Sequence, residues 1–66
     1  MAETIPDPAT GQYWVVPDAA LVTWNREVTY VRAGYVFYSR FGRPHGCYLV
    51  HWRRWARKTG ARPEAP

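Results

Sequence analysis

A second cysteine is missing. Cys47 stands alone among 66 residues, so no internal disulfide can form. A single thiol fits a reducing compartment better than an oxidising one. Isoleucine, asparagine, serine and lysine also occur once each, as Ile5, Asn25, Ser39 and Lys58. No apolar run approaches the ~20 residues needed to span a bilayer. Met1 to Pro8 has neither a basic n-region nor an apolar h-region, which predicts no secretory leader. A soluble, cytoplasmic protein without membrane contact is therefore expected.

The most telling absence is acidic. Residues 28–63 contain Arg32, Arg40, Arg43, Arg53, Arg54, Arg57, Lys58 and Arg62 and no carboxylate, a charge of +8. Residues 1–27 carry Glu3, Asp7, Asp18 and Glu27 against Arg26, a charge of −3, and Glu64 brings the net to +4. Such a body cannot neutralise itself internally. Solvent ions, the acidic lead or an anionic partner must meet its field.

What the chain has in quantity is aromatic side chains: Tyr13, Trp14, Trp24, Tyr30, Tyr35, Phe37, Tyr38, Phe41, Tyr48, Trp52 and Trp55. A domain this small buries only about 60% of its unfolded surface and needs an unusually heavy core. Each ring can bury roughly 150–250 Å², so a few can stand in for missing aliphatic residues. All eleven cannot be buried at once. The remainder must face solvent, where rings become available to partners.

Along the chain, Met1 to Gly11 reads as a flexible lead and residues 12–60 as one compact domain. Ala61 to Pro66 reads as a flexible Pro-rich tail. Short β-prone runs occupy Gln12 to Val16 and Ala20 to Trp24, with Pro17-Asp18 between them. Val28 to Arg32 and Tyr35 to Phe41 form the clearest hairpin, rich in β-branched and aromatic residues and joined through Ala33-Gly34. Gly42 to Gly46 reads as a loop because it holds two glycines and a proline. Tyr48 to Lys58 has two readings. A 3.6 period places Tyr48, Leu49, Trp52, Trp55 and Ala56 on one face, with Gly60 as a C-terminal cap. A period of 2 makes its start another strand. The capping signals favour helix, giving an α+β fold: an antiparallel meander of three to four strands with one C-terminal basic helix. The alternative is a five-stranded, barrel-like all-β domain.

Three constellations carry chemistry. Arg53, Arg54, Arg57 and Lys58 share the solvent side of the predicted helix, and guanidinium groups on a rigid element suit phosphate oxygens. Arg40 and Arg43 extend this patch. The same cations also suit a plain solvated helix face. Secondly, Tyr35, Phe37, Tyr38, Arg40, Phe41 and Arg43 interleave rings with cations, as sheets that stack single-stranded bases do. The bland reading puts Tyr35 and Phe37 on the core face and Tyr38 at the surface. Tyr35, Tyr38 and Trp55 are the candidate stacking or interface rings. Thirdly, His45, Cys47 and His51 offer three ligands within seven residues, one short of a structural zinc site; they are weak metal candidates, and no metal or cofactor is expected.

Catalysis is not expected either. Ser39 has no Asp or Glu near it along the chain, and domains of this size rarely enclose pockets of several hundred Å³. The pattern predicts a small nucleic-acid-binding accessory or regulatory protein of a phage, plasmid or bacterium, for DNA or RNA. Two rival expectations stand beside it. One is an inhibitor or adaptor that docks its basic aromatic face on an acidic protein; the other is a small structural subunit of an assembly.

Overall fold

The protein is described from a computed structural model, which describes residues 4–18 and 24–64. Five strands and one helix follow in the order β1 (Tyr13–Val15), β2 (Arg26–Arg32), β3 (Tyr35–Arg40), β4 (Arg43–Tyr48), α1 (Leu49–Thr59) and β5 (Arg62–Pro63). The strands form one antiparallel sheet in the order β4-β3-β2-β1-β5, with β4 and β5 at its edges. The sheet does not close, so the architecture is the α+β meander with a C-terminal helix rather than the barrel. Of the run expected over 20–24, only Trp24 lies within the described residues, and it is not in a strand.

Two hairpins build the middle of the sheet. The β2–β3 turn has Ala33 at φ 51° and Gly34 at φ 77°; the β3–β4 turn has Phe41 at φ 54° and Gly42 at φ 71°. Positive φ at both central residues is the signature of the two-residue type I′ turn, whose twist matches that of the flanking strands. Ala33 and Phe41 hold the left-handed conformation without glycine's freedom.

The loop expected at 42–46 is instead the first part of β4. Pro44 sits there because β4 is an edge strand bonded only to β3, where a missing N–H costs no ladder bond. Gly46 answers to packing: a Cβ at that position would lie 2.6 Å from Tyr35 Cε1. Neither residue is a breaker in this setting. The expected tail also differs, since Ala61 is fully buried and Arg62 and Pro63 pair with Val15 and Trp14 of β1. The N-terminal lead has no strand or helix in residues 4–9, yet Pro8 is buried and the Gly11 N–H donates to the Val28 carbonyl at 2.8 Å.

The helix starts one residue later than the reading from residue 48, because Tyr48 ends β4. Its first N–H, on Leu49, donates to the Gly34 carbonyl at 2.8 Å, joining the helix start to the β2–β3 turn. Gly60 closes it in the left-handed conformation, with its N–H on the Ala56 carbonyl at 2.8 Å. The Arg62 guanidinium reaches the same end, donating to the Ala56 carbonyl at 3.5 Å and to the Ala61 carbonyl just past the helix at 2.7 Å.

Trp52, Trp55 and Ala56 turn inward against one face of the sheet and meet Trp14, Val16, Val28, Val36, Tyr38 and Ala61. The core is therefore largely aromatic. Trp14 and Trp52 pack edge to face at 5.3 Å, Trp52 and Trp55 lie 4.9 Å apart, and Tyr38 meets Trp52 at 5.4 Å. Four of the eleven rings supply the bulk that a short chain cannot find in aliphatic side chains.

Candidate functional site

Strand alternation divides the molecule into a covered and an open face. Along β3, Val36 and Tyr38 point to the helix, leaving Tyr35, Phe37 and Ser39 on the other side. This reverses the bland reading of the hairpin, which put Tyr35 and Phe37 in the core. In β2 the alternation is broken by a bulge between Val28 and Tyr30, where the Thr29 hydroxyl donates to the Phe37 carbonyl at 3.0 Å. Without the extra residue, Tyr30 would share the core face of Val28. With it, Tyr30 stands opposite Phe37 on the open face and Val31 faces inward beside Val36.

The open face consequently carries a continuous row of rings. Tyr30 stacks on Phe37 at 5.4 Å, Phe37 touches Tyr35 at 4.9 Å, and Tyr35 meets Tyr48 edge to face at 5.1 Å. Tyr30 is 44% exposed, Phe37 41% and Tyr48 62%. Tyr35 is half-buried because its ring lies over Gly46, the one side-chain-free position opposite Phe37. Arg32 is exposed and in register with Tyr35, which places a cation beside the row.

Beyond the row, toward the β3–β4 turn, lies a cleft of about 250 Å³ lined by Tyr13, Asn25, Glu27, Ser39, Phe41 and Gly42. Glu27 is the register partner of both Tyr13 and Ser39. Ser39 thus has a carboxylate neighbour from twelve residues away, contrary to the isolation read from the chain. The Asn25 side-chain oxygen accepts the Val16 N–H at 2.7 Å, which holds the strand entry beside the cleft. Phe41 is 72% exposed at the turn tip.

Apart from Arg32, the cations expected to form the patch occupy the opposite side. Arg53, Arg54, Arg57 and Lys58 are exposed on the outer surface of α1, as their spacing predicts. Arg53 is ion-paired with Asp7 at 2.6 Å. Arg40 extends toward Trp24, its guanidinium 5.3 Å from the ring, and Arg43 is exposed at the start of β4. The helix cations and the aromatic row therefore do not converge on one surface. Of the three candidate rings, Tyr35 belongs to the open row. Tyr38 and Trp55 are corrected to core residues: Tyr38 alternates inward on β3, and Trp55 lies on the apolar side of the helix.

Arg26 was missed from sequence altogether. Its guanidinium lies 4.0 Å from the Trp55 ring centroid and 4.4 Å from that of Tyr38, a cation held between core aromatics. Burial lowers its pKa from the ordinary arginine range. Only the density of rings elsewhere in the chain hinted that a cation could be held this way.

The three metal candidates are not gathered. His45 stacks on Tyr38 at 5.5 Å, Cys47 faces the core opposite Val36, and His51 is exposed on the helix. No group of three or more His, Cys, Asp or Glu side chains fit to hold a metal exists among the described residues. Burial pushes the Cys47 thiol above its ordinary pKa, with Arg26 opposing the shift. Among the described residues, no helix is long and apolar enough to cross a membrane. No family model, curated protein or solved structure matches the chain.

Proposed function

We propose that this protein is a small single-stranded nucleic-acid-binding module that stacks bases on the helix-free face of its sheet. The observation that carries the reading is the row Tyr30–Phe37–Tyr35–Tyr48, four rings in mutual contact on a face that no element of the described fold covers. Base-on-ring stacking contributes about 1–3 kcal/mol per base and tolerates any sequence. The acid-free stretch over residues 28–63 supports a polyanion as the partner, and Arg32 at the row supports phosphate contact there. A cytoplasmic setting suits the single reduced thiol.

A second arrangement is favoured by the helix surface. There Arg54, Arg57 and Lys58, with Arg40, Arg43 and Arg53 around them, would grip phosphates of a duplex without stacking. Fluorescence anisotropy with labelled single strands and duplexes separates the two. In the stacking mode, Phe37→Ala and Tyr30→Ala each weaken single-strand binding by about tenfold. The salt slope is shallow, about −2, as two or three phosphates require. Binding insensitive to Phe37 and Tyr30 but lost in the Arg54, Arg57, Lys58 triple alanine variant would move the site to the helix. Absence of any binding at ~50 mM salt would end the nucleic-acid reading. Capture of a discrete acidic protein that survives nuclease treatment would then favour the docking alternative.

A further inference from the structure

We infer that the cleft between Tyr13 and Phe41 is a base-reading pocket that selects guanine in the bound strand through Glu27. The inference rests on the single-strand reading and adds a specificity site to it.

The cleft lies on the same open face as the stacking row and is walled by two more rings, Tyr13 and Phe41. Its floor is polar in an otherwise apolar row, since Glu27 and Ser39 lie side by side across β2 and β3. Among the described residues, the Glu27 carboxylate has no salt-bridge or hydrogen-bond partner, although the chain holds nine cations. An ionised carboxylate only accepts hydrogen bonds, and its two oxygens suit a pair of adjacent donors. Guanine alone presents such a pair on its Watson–Crick edge, the ring N1–H and the N2 amino group. Adenine and cytosine set a ring acceptor beside their amino donor. Thymine and uracil flank their one N–H with carbonyl oxygens. Both arrangements leave a carboxylate oxygen against a lone pair. The Ser39 hydroxyl can donate to guanine O6, the next acceptor along the same edge.

Phe41 strengthens the assignment. A phenylalanine in the left-handed region is strained, and here it gains little burial in return. It instead lines the cleft together with Tyr13, where a base splayed from the strand can be stacked. A Lys or Arg side chain from a basic partner would also find two rings and a carboxylate there. The acid-free +8 body disfavours that guest and favours a base delivered by a polyanion.

The test uses the full chain and oligothymidylates with one central guanine, inosine, adenine or cytosine. The guanine strand is expected to bind roughly tenfold more tightly than the adenine, cytosine and all-thymine strands. Inosine, lacking the N2 amino group, should fall between. Glu27→Gln, checked for unchanged melting temperature, is expected to erase the guanine preference while all-thymine affinity stays within about twofold. Equal affinity for the guanine, adenine, cytosine and all-thymine strands, or a guanine preference that survives Glu27→Gln, overturns the pocket and leaves stacking standing. Failure of every strand to bind overturns both readings. Displacement of the guanine from the cleft by argininamide, but not by guanosine monophosphate, reassigns the pocket to a cationic side chain.

Discussion

Replacing Phe41 by Asn should make the protein more stable and a poorer binder. Position 41 has φ 54° at the first centre of a type I′ turn followed by Gly42. An L-residue held in the left-handed region costs roughly 1–2 kcal/mol, and Asn is among the few that tolerate it. Against this stands the lost ring. Phe41 is 72% exposed, so only about a quarter of the ~1.5–3 kcal/mol available from full burial is forfeited, roughly 0.5 kcal/mol. The net gain is about 0.5–1.5 kcal/mol, which in a domain of this size raises Tm by about 2–12 °C. Ala33→Asn is the matched control, because Ala33 holds φ 51° in the β2–β3 turn and has no ring to lose. Thermal melts followed by tryptophan fluorescence and far-UV circular dichroism measure both. Phe41→Asn should also lose the guanine preference, whereas Ala33→Asn keeps it. If both variants melt below the parent, the strain argument is wrong. If only Phe41→Asn does, the ring packs more tightly than its exposure indicates.

Gly46→Ala places a Cβ 2.6 Å from Tyr35 Cε1 and 2.9 Å from its hydroxyl, so the ring must leave its place in the row. A loss of about 1–2 kcal/mol is expected in denaturant titrations, falling toward zero in a Tyr35→Ala background; equal losses in both backgrounds would mean that Gly46 serves the backbone instead. At Cys47, burial raises the thiol pKa, so the folded protein should react slowly with an aromatic disulfide at mildly alkaline pH and quickly once unfolded. Because the folded-state pKa is the higher one, the associated stability is present below the ordinary thiol range and is lost as pH rises through the folded value. Equal labelling rates in water and in denaturant would refute the burial of Cys47.

Much of the fold was legible because its signals are local. The Val28–Arg32 and Tyr35–Arg40 hairpin follows from β-branched and aromatic residues around a glycine turn. The helix follows from Trp52, Trp55 and Ala56 on one side and Gly60 at its end. Strand β4 was not legible, because whether Pro44 breaks a strand depends on which neighbour that strand lacks. Two-residue β5 has no periodicity to read, and exists because Trp14 and Val15 offer it an edge.

The candidate site shows the same division. Sequence composition alone determined that the basic body lacks acids, that some rings must lie at the surface, and that Arg53, Arg54, Arg57 and Lys58 share the outer side of a helix. Such facts depend on counting and on a fixed helical period. The tertiary structure decided which rings those are, since one bulged residue in β2 turns Tyr30 outward and alternation in β3 sends Tyr38 to the core. It also decided that Glu27 meets Ser39, and that the aromatic row and the helix cations lie on opposite sides. Face and register come from pairing between segments distant along the chain, and no local pattern encodes them.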